Sequence, residues 1–352
     1  MKQRFDNLDL LKTLAMLMVV SLHIPVWYPD FITDGYVTAL PQYALRLAME
    51  GVPLFVMANG FLLFNKKEIV LQTHFKKIGK LALLLVIWSF LLIIGGLLTA
   101  GREISCSMLW TYFLQTKVDS TYTGVLWFLQ NLIALYFVMP ILKKVYDNDY
   151  PLFKVFFFLV AFFTVGVQTM SMLIDFIQPI LKVPLFALIP EYLNRFNFIK
   201  NGEFVLFAML GGILLKEKEH FLQKRKWWVA AGIGAWGISL LFGVIISEIS
   251  QNLYNPIFNY SSICMPIMMI GWYAATLKYQ NSGKWYHKII RSIGENTLGI
   301  YFLHTFVIHI VEKIIPYDSL EIRVLQWGLV YLASWIGSAI MKKLPLIKEL
   351  VI

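Results

Sequence analysis

Charge is what this sequence has least of. Acidic and basic residues together make up 15% of its 352 positions, where a soluble domain carries about a quarter. Cysteine is nearly missing too. Cys106 and Cys264 are the only two; they do not suggest a disulfide framework or a metal site, and both read as ordinary apolar-phase residues. No low-complexity tract and no repeat of fixed period occurs. The Gly-x-Ser-x-Gly elbow of α/β hydrolases is also missing, so nucleophilic catalysis of that kind has no support. No small-residue cleavage site follows the first apolar run. Trp27, Tyr28 and Pro29 stand there instead, and a cleavable signal peptide is not expected.

What the chain has is apolar surface. Hydrophobic residues make up 58% and aromatic residues 16%, and mean hydropathy is +0.66. Apolar runs of membrane-spanning length recur throughout, so the expected fold is all-α: a polytopic helical bundle forming one integral-membrane domain over 1–352. About ten spans are expected, near 8–28, 41–64, 79–100, 124–142, 155–175, 203–215, 227–247, 259–277, 294–312 and 324–341. The net charge of +10 is topogenic in this arrangement. Lys and Arg gather in the N-terminus, 65–80, 143–154, 216–226, 278–291 and the C-terminus, and thin out in the alternate segments. By the positive-inside rule both termini are cytoplasmic, and the basicity needs no nucleic acid. The segments 101–123 and 176–202 fall outside. In the second, Pro179, Pro184 and Pro190 are expected to break helices around a re-entrant or lid-like stretch.

Against this background, ionisable residues within spans stand out. Lys12 and His23 lie eleven positions apart in the first span, about three turns, hence on nearly one face and roughly 16 Å apart along the axis. Lys12 has two readings: a snorkelling lysine neutralised by Asp9 at i,i+3, or part of a site. His23 lies deeper. It is either an interhelical hydrogen-bonding histidine or a general base, since neutral imidazole accepts a proton near pH 7. Arg46 and Glu50 in the second span are either a self-satisfied i,i+4 pair or, at the level of His23, a source of a carboxylate that orients the imidazole. Further along that span Pro53 is expected to kink the helix, and Asn59–Gly60 offers an amide and a close backbone approach. His304, with Tyr301 and Asn296 on neighbouring turns, reads equally as core or as site lining. His74, His220 and His287 are expected in solvated basic loops, and His309 with Glu312 as a surface pair.

Four blocks carry a resemblance. Asp9-x-x-Lys12-x10-His23 followed by GVPLFVMANGF is similar to the first two spans of the integral-membrane acyltransferase type 3 family, which shows D-x-x-R-x10-H and then G-V-x-L-F-F-x-x-S-G-F. LWFLQNLIALYFVMPIL (Leu126 to Leu142) and IGENTLGIYFLH (Ile293 to His304) resemble later blocks of that family, in the same order. The chain departs from the pattern at Lys12, where the family has arginine, and at Asn59, where it has serine. Thr297 stands at the serine of the last motif. Lysine keeps the charge but loses the planar fork that grips phosphate bidentately.

The resemblance implies transfer of an acyl group, usually acetyl, from cytoplasmic acetyl-coenzyme A to a hydroxyl of a cell-surface polysaccharide or lipid-linked glycan, in a bacterial plasma membrane. Acetyl-coenzyme A would be a co-substrate, with no bound cofactor and no metal. On this reading His23 and Glu50 are catalytic. Lys12, Asp9, Asn59, Lys76 and Lys77 serve the donor. Arg46, Trp127, Gln130, Asn131, Asn296, Tyr301 and His304 line the site, with Trp127, Gln130, Asn131 and Tyr301 as candidate donors to the oxyanion. External Glu191, Asn194 and Arg195 are candidates for acceptor contacts. The rival from another class is a transporter or flippase of a lipid-linked or small organic substrate, which ten spans with buried charges would also suit. The matched broken half-helices of inverted repeats are not found in the sequence.

Overall fold

The computed structural model describes residues 4–24, 31–99, 101–114, 124–181, 188–197, 202–256, 260–280, 282–316, 319–345 and 347–351. Among these residues every regular element is helical and none is a strand. In chain order the helices are α1 (Asp6–Leu22), α2 (Phe31–Asp34), α3 (Tyr36–Leu47), α4 (Gly51–Phe64), α5 (Leu71–Thr99), α6 (Cys106–Leu114), α7 (Trp127–Asn148), α8 (Tyr150–Ala161) and α9 (Val167–Leu181). They continue as α10 (Leu188–Asn194), α11 (Glu203–Lys216), α12 (Lys218–Gln223), α13 (Arg225–Ser250), α14 (Cys264–Thr276), α15 (Trp285–Ile314) and α16 (Leu320–Met341).

Seven stretches are long and apolar enough to cross a bilayer: Ala39–Phe64, Leu71–Thr99, Gly124–Asn148, Tyr150–Ile174, Arg225–Ser250, Trp285–Ile314 and Leu320–Met341. The other three expected spans correspond to shorter helices. α1 has 17 residues, α11 14 and α14 13. At 1.5 Å per residue, 13 or 14 residues reach about 20 Å, less than a hydrocarbon core of about 30 Å.

The prolines act differently from the expectation. The second span breaks at Ala48–Glu50, before Pro53, and restarts as α4. Pro53 thereby falls in the first turn of α4, where its missing N–H leaves no helical bond unmade. Pro179 lies within α9, two residues before its end, and Pro190 in the first turn of the short α10. Pro184 lies outside the described residues.

The chain forms two compact units: Met1–Ala15 with Trp27–Lys67 and Ile141–Ser282, and Met16–Val26 with Glu68–Pro140 and Gly283–Ile352. The first unit is held by helices that touch backbone to backbone. A Cβ on Gly60 would come within 2.1 Å of the Ala208 carbonyl oxygen, and one on Gly211 within 2.1 Å of that of Met57. Only glycine lets α4 and α11 approach so closely, the means by which membrane helices gain packing without a hydrophobic driving force. Gly60 thus makes the close approach its sequence context suggests. Gly232 and Gly271 do the same for α13 and α14. Trp236 on α13 donates its indole N–H to the Ala44 carbonyl of α3 at 2.7 Å.

In the second unit α15 and α16 pack through Gly299, whose Cα faces Ser338. The Ser338 hydroxyl donates to Asn296 Oδ1 at 3.1 Å. Trp88 on α5 stacks on Phe302 of α15, with ring centroids 4.6 Å apart, and donates to the Leu350 carbonyl at 2.9 Å. Trp327 of α16 donates to the Leu17 carbonyl at 3.4 Å, tying down the second half of α1.

Candidate active site

The end of α1 explains how His23 is held. Helix termini leave their last carbonyls without helical partners. The His23 backbone N–H turns to the Val20 carbonyl at 3.2 Å instead of continuing the α-helical ladder. The Val19 carbonyl is thereby free, and the His23 side chain takes it through Nδ1 at 2.7 Å. A carbonyl oxygen only accepts, so Nδ1 carries the proton and Nε2 of the neutral ring keeps its lone pair. His23 is exposed on this surface. It lies just past the helix end, and its Nδ1 is oriented by backbone rather than by the expected carboxylate.

His304 faces it. The two rings are 4.9 Å apart at their centroids with planes at 65°. His304 is fully buried, its Nδ1 lies 3.3 Å from the Ile300 carbonyl, and its Nε2 has no hydrogen-bond partner among the described residues. A polar atom so placed costs about 1–3 kcal/mol and calls for an explanation.

The other residues expected in this unit divide between architecture and accessible surface. Tyr301 lies 6.1 Å from His304, centroid to centroid, but its hydroxyl donates to the Val125 carbonyl. That donor is therefore engaged and does not point at a developing oxyanion. Asn296 bridges helices: Nδ2 donates to the Ser292 carbonyl at 2.7 Å, while Oδ1 receives Ser338. Asn131 donates to the Trp127 carbonyl at 2.9 Å. Trp127 and Gln130 are exposed.

The first unit holds a second polar group at the start of α1. Asp9 is buried and receives Lys12 Nζ on Oδ1 at 3.2 Å. On Oδ2 it receives Nε and Nη2 of Arg4, each at 2.7 Å. Arg4 escaped sequence reasoning. It precedes the helix, so no helical spacing links it to Asp9, and it counts there only as a topogenic charge. A guanidinium nevertheless stands beside the position where the motif has lost one.

Glu50 is fully buried, and neither carboxylate oxygen has a hydrogen-bond partner among the described residues. The i,i+4 pairing with Arg46 does not form, because the helix breaks between them and Glu50 becomes the N-cap residue of α4. As N-cap it makes no side-chain hydrogen bond to the helix. Asn59 is partly buried and donates to the Phe55 carbonyl at 3.0 Å.

On α5, Lys76 and Lys77 are exposed. Lys77 Nζ lies 3.2 Å from the Tyr136 hydroxyl and 4.8 Å from the ring centroid. Two of the three histidines expected in loops are buried in helices: His74, bonded to the Tyr136 carbonyl at 2.7 Å, and His287. His220 is exposed. His309 and Glu312 pair at 3.6 Å. Glu191, Asn194 and Arg195 are exposed on or just after α10. No cluster of three or more potential metal ligands occurs among the described residues.

The arrangement offers an accessible base with a bare Nε2, a buried imidazole beside it and, in the other unit, a basic cluster around one aspartate. Compared with known proteins, the chain matches a family described as an acyltransferase domain over residues 5–343. No curated protein and no solved structure matches it.

Proposed function

The chain belongs to the acyltransferase 3 family, and on that premise we propose that this membrane acyltransferase moves an acetyl group from cytoplasmic acetyl-coenzyme A to a hydroxyl of a surface polysaccharide or lipid-linked glycan. The observation that carries the reading is the His23 ring: accessible, tautomer set by the Val19 carbonyl, and Nε2 free to accept. In the reaction the acceptor oxygen bonds to the thioester carbonyl carbon and the carbon–sulfur bond breaks. The hydroxyl proton goes to His23 Nε2 and then to the departing thiolate. Carbonyl dipoles at the end of α1 stabilise the imidazolium formed in between.

Lys12, Arg4 and Asp9 serve the phosphates of the donor, with exposed Lys76 and Lys77 adding positive potential. Asn59 stays with the donor group. Glu50 is retained as a catalytic candidate because a buried carboxyl group without a partner is costly. Exposed Trp127 and Gln130 lie in the same unit as His23, where Asn131, Asn296 and Tyr301 make structural hydrogen bonds, and Arg46 belongs to the other unit.

We propose ten spans with both termini cytoplasmic, in a bacterial plasma membrane. Lys80 Nζ meets Glu349 at 2.6 Å, which supports one side for the C-terminal end and the basic end of α5.

The test is replacement of His23 by Ala, with insertion checked and acetyl transfer from labelled acetyl-coenzyme A to purified glycan measured. A loss of about 10²–10⁴-fold is expected. Full activity in the inserted variant would remove His23 from the mechanism.

A further inference from the structure

We propose that His304 is a second proton-holding group for the reaction, a positioning residue that works through His23 and forms an imidazole pair with it. The inference rests on the acyl-transfer reading and goes beyond lining the site.

Each ring uses Nδ1 on a carbonyl four residues earlier in its own chain segment, Val19 for His23 and Ile300 for His304. Both Nε2 atoms are therefore left as acceptors in the neutral pair. The rings stand edge to face with centroids 4.9 Å apart, in direct contact, so a charge on one ring is felt by the other. One ring is accessible and the other fully enclosed. This asymmetry suits an outer base that meets substrate and an inner group that never does.

Of the other polar groups nearby on α15, Thr305 Oγ1 is buried without a hydrogen-bond partner among the described residues, whereas Tyr301 and His309 are engaged. Tyr301 is bonded to the Val125 carbonyl, and His309 is paired with Glu312. From α16, Gln326 Nε2 is bonded to the Ile315 carbonyl and Trp327 to the Leu17 carbonyl. His23 is the imidazole whose ring stands directly against His304. Two imidazolium rings this close repel each other, so the pair holds one proton at a time. The hydroxyl proton reaches His23 Nε2, is held by the imidazole pair while the tetrahedral intermediate exists, and returns to protonate the thiolate. No redox partner or metal is needed, and the net transfer is one proton from oxygen to sulfur.

The experiment uses the full chain in detergent or vesicles and compares wild type, His304→Phe and His304→Ala for acetyl transfer. His304→Phe fills the space without a nitrogen. It is expected to lower kcat at least tenfold, with KM for donor and acceptor within about twofold. The smaller His304→Ala leaves a cavity, and millimolar imidazole is expected to restore part of its activity but none of that of His304→Phe. An unchanged kcat in His304→Phe overturns the proposal, as does a loss confined to KM, or rescue of neither variant with the folded yield intact. Histidine NMR titration of the same preparations needs no turnover. A wild-type two-step titration of the His23 and His304 resonances that becomes single-step for His23 in His304→Phe supports the pair. Independent one-step curves in wild type overturn it. An inactive wild type with a two-step titration would sink the acyl-transfer reading and leave the imidazole pair standing.

Discussion

At the scale of single residues, the position of Lys12 shows how a substitution can be answered from outside a motif. Lysine supplies charge without the bidentate fork, and Arg4 brings a guanidinium to the same aspartate, with two nitrogens at 2.7 Å. If this group grips donor phosphates, Lys12→Arg should keep the KM for acetyl-coenzyme A within a few-fold of wild type. Lys12→Ala and Arg4→Ala should each raise it about tenfold, in line with one charge-assisted contact. The check is steady-state kinetics with donor varied at saturating acceptor. The double variant should fall short of additivity, since both side chains share Asp9. His23, Lys12 and Glu50 were legible in the sequence because an ionisable group among apolar neighbours is conspicuous. The partners of these residues were not. The Val19 carbonyl, the N-cap position of Glu50 and the approach of Arg4 all depend on where helices end, and composition says little about that.

At the scale of elements, the α4–α11 contact is where size matters most. Gly211→Val places a Cβ on the Met57 carbonyl, and backbone cannot yield as a side-chain tip can. The expected result is loss of folded, monodisperse protein in size-exclusion chromatography. Gly234→Ala meets nothing within 4 Å and should leave the melting temperature unchanged or slightly raised, since alanine favours helix by about 0.5–1 kcal/mol over glycine. The C-terminal turn Lys348–Leu350 is a second case. Removing it takes the acceptor from Trp88 and the carboxylate from Lys80, and a fall of a few degrees in melting temperature is expected. Of these elements, the Asn59–Gly60 close approach could be anticipated from small residues in an apolar run. The displacement of the helix break from Pro53 to Ala48–Glu50 could not. Proline marks the neighbourhood of a break, and its tolerance in a first turn decides the side on which the break falls.

At the scale of the whole molecule, hydropathy identified the helical membrane class, and its seven long apolar stretches return as helices. The helices in the three segments 8–28, 203–215 and 259–277 are shorter, with 17, 14 and 13 residues. An apolar run counts residues, whereas a span depends on how many of them hold helical geometry together. Cysteine-accessibility mapping tests the proposed topology. With Cys106 and Cys264 replaced, single cysteines at Lys67, Lys144, Lys224 and Lys348 should react with a membrane-impermeant maleimide only after the membrane is opened. Labelling of any of them in intact cells would overturn the proposed orientation.

The hold on His23 has a thermal consequence. Its ring is set by a carbonyl belonging to the last turn of a helix, and terminal turns fray before the body of a helix melts. Warming should therefore unlock the imidazole while the packed helices persist, so transfer activity should decline several degrees below the unfolding temperature recorded by circular dichroism. The temperature ceiling of such an enzyme would be set by one backbone turn.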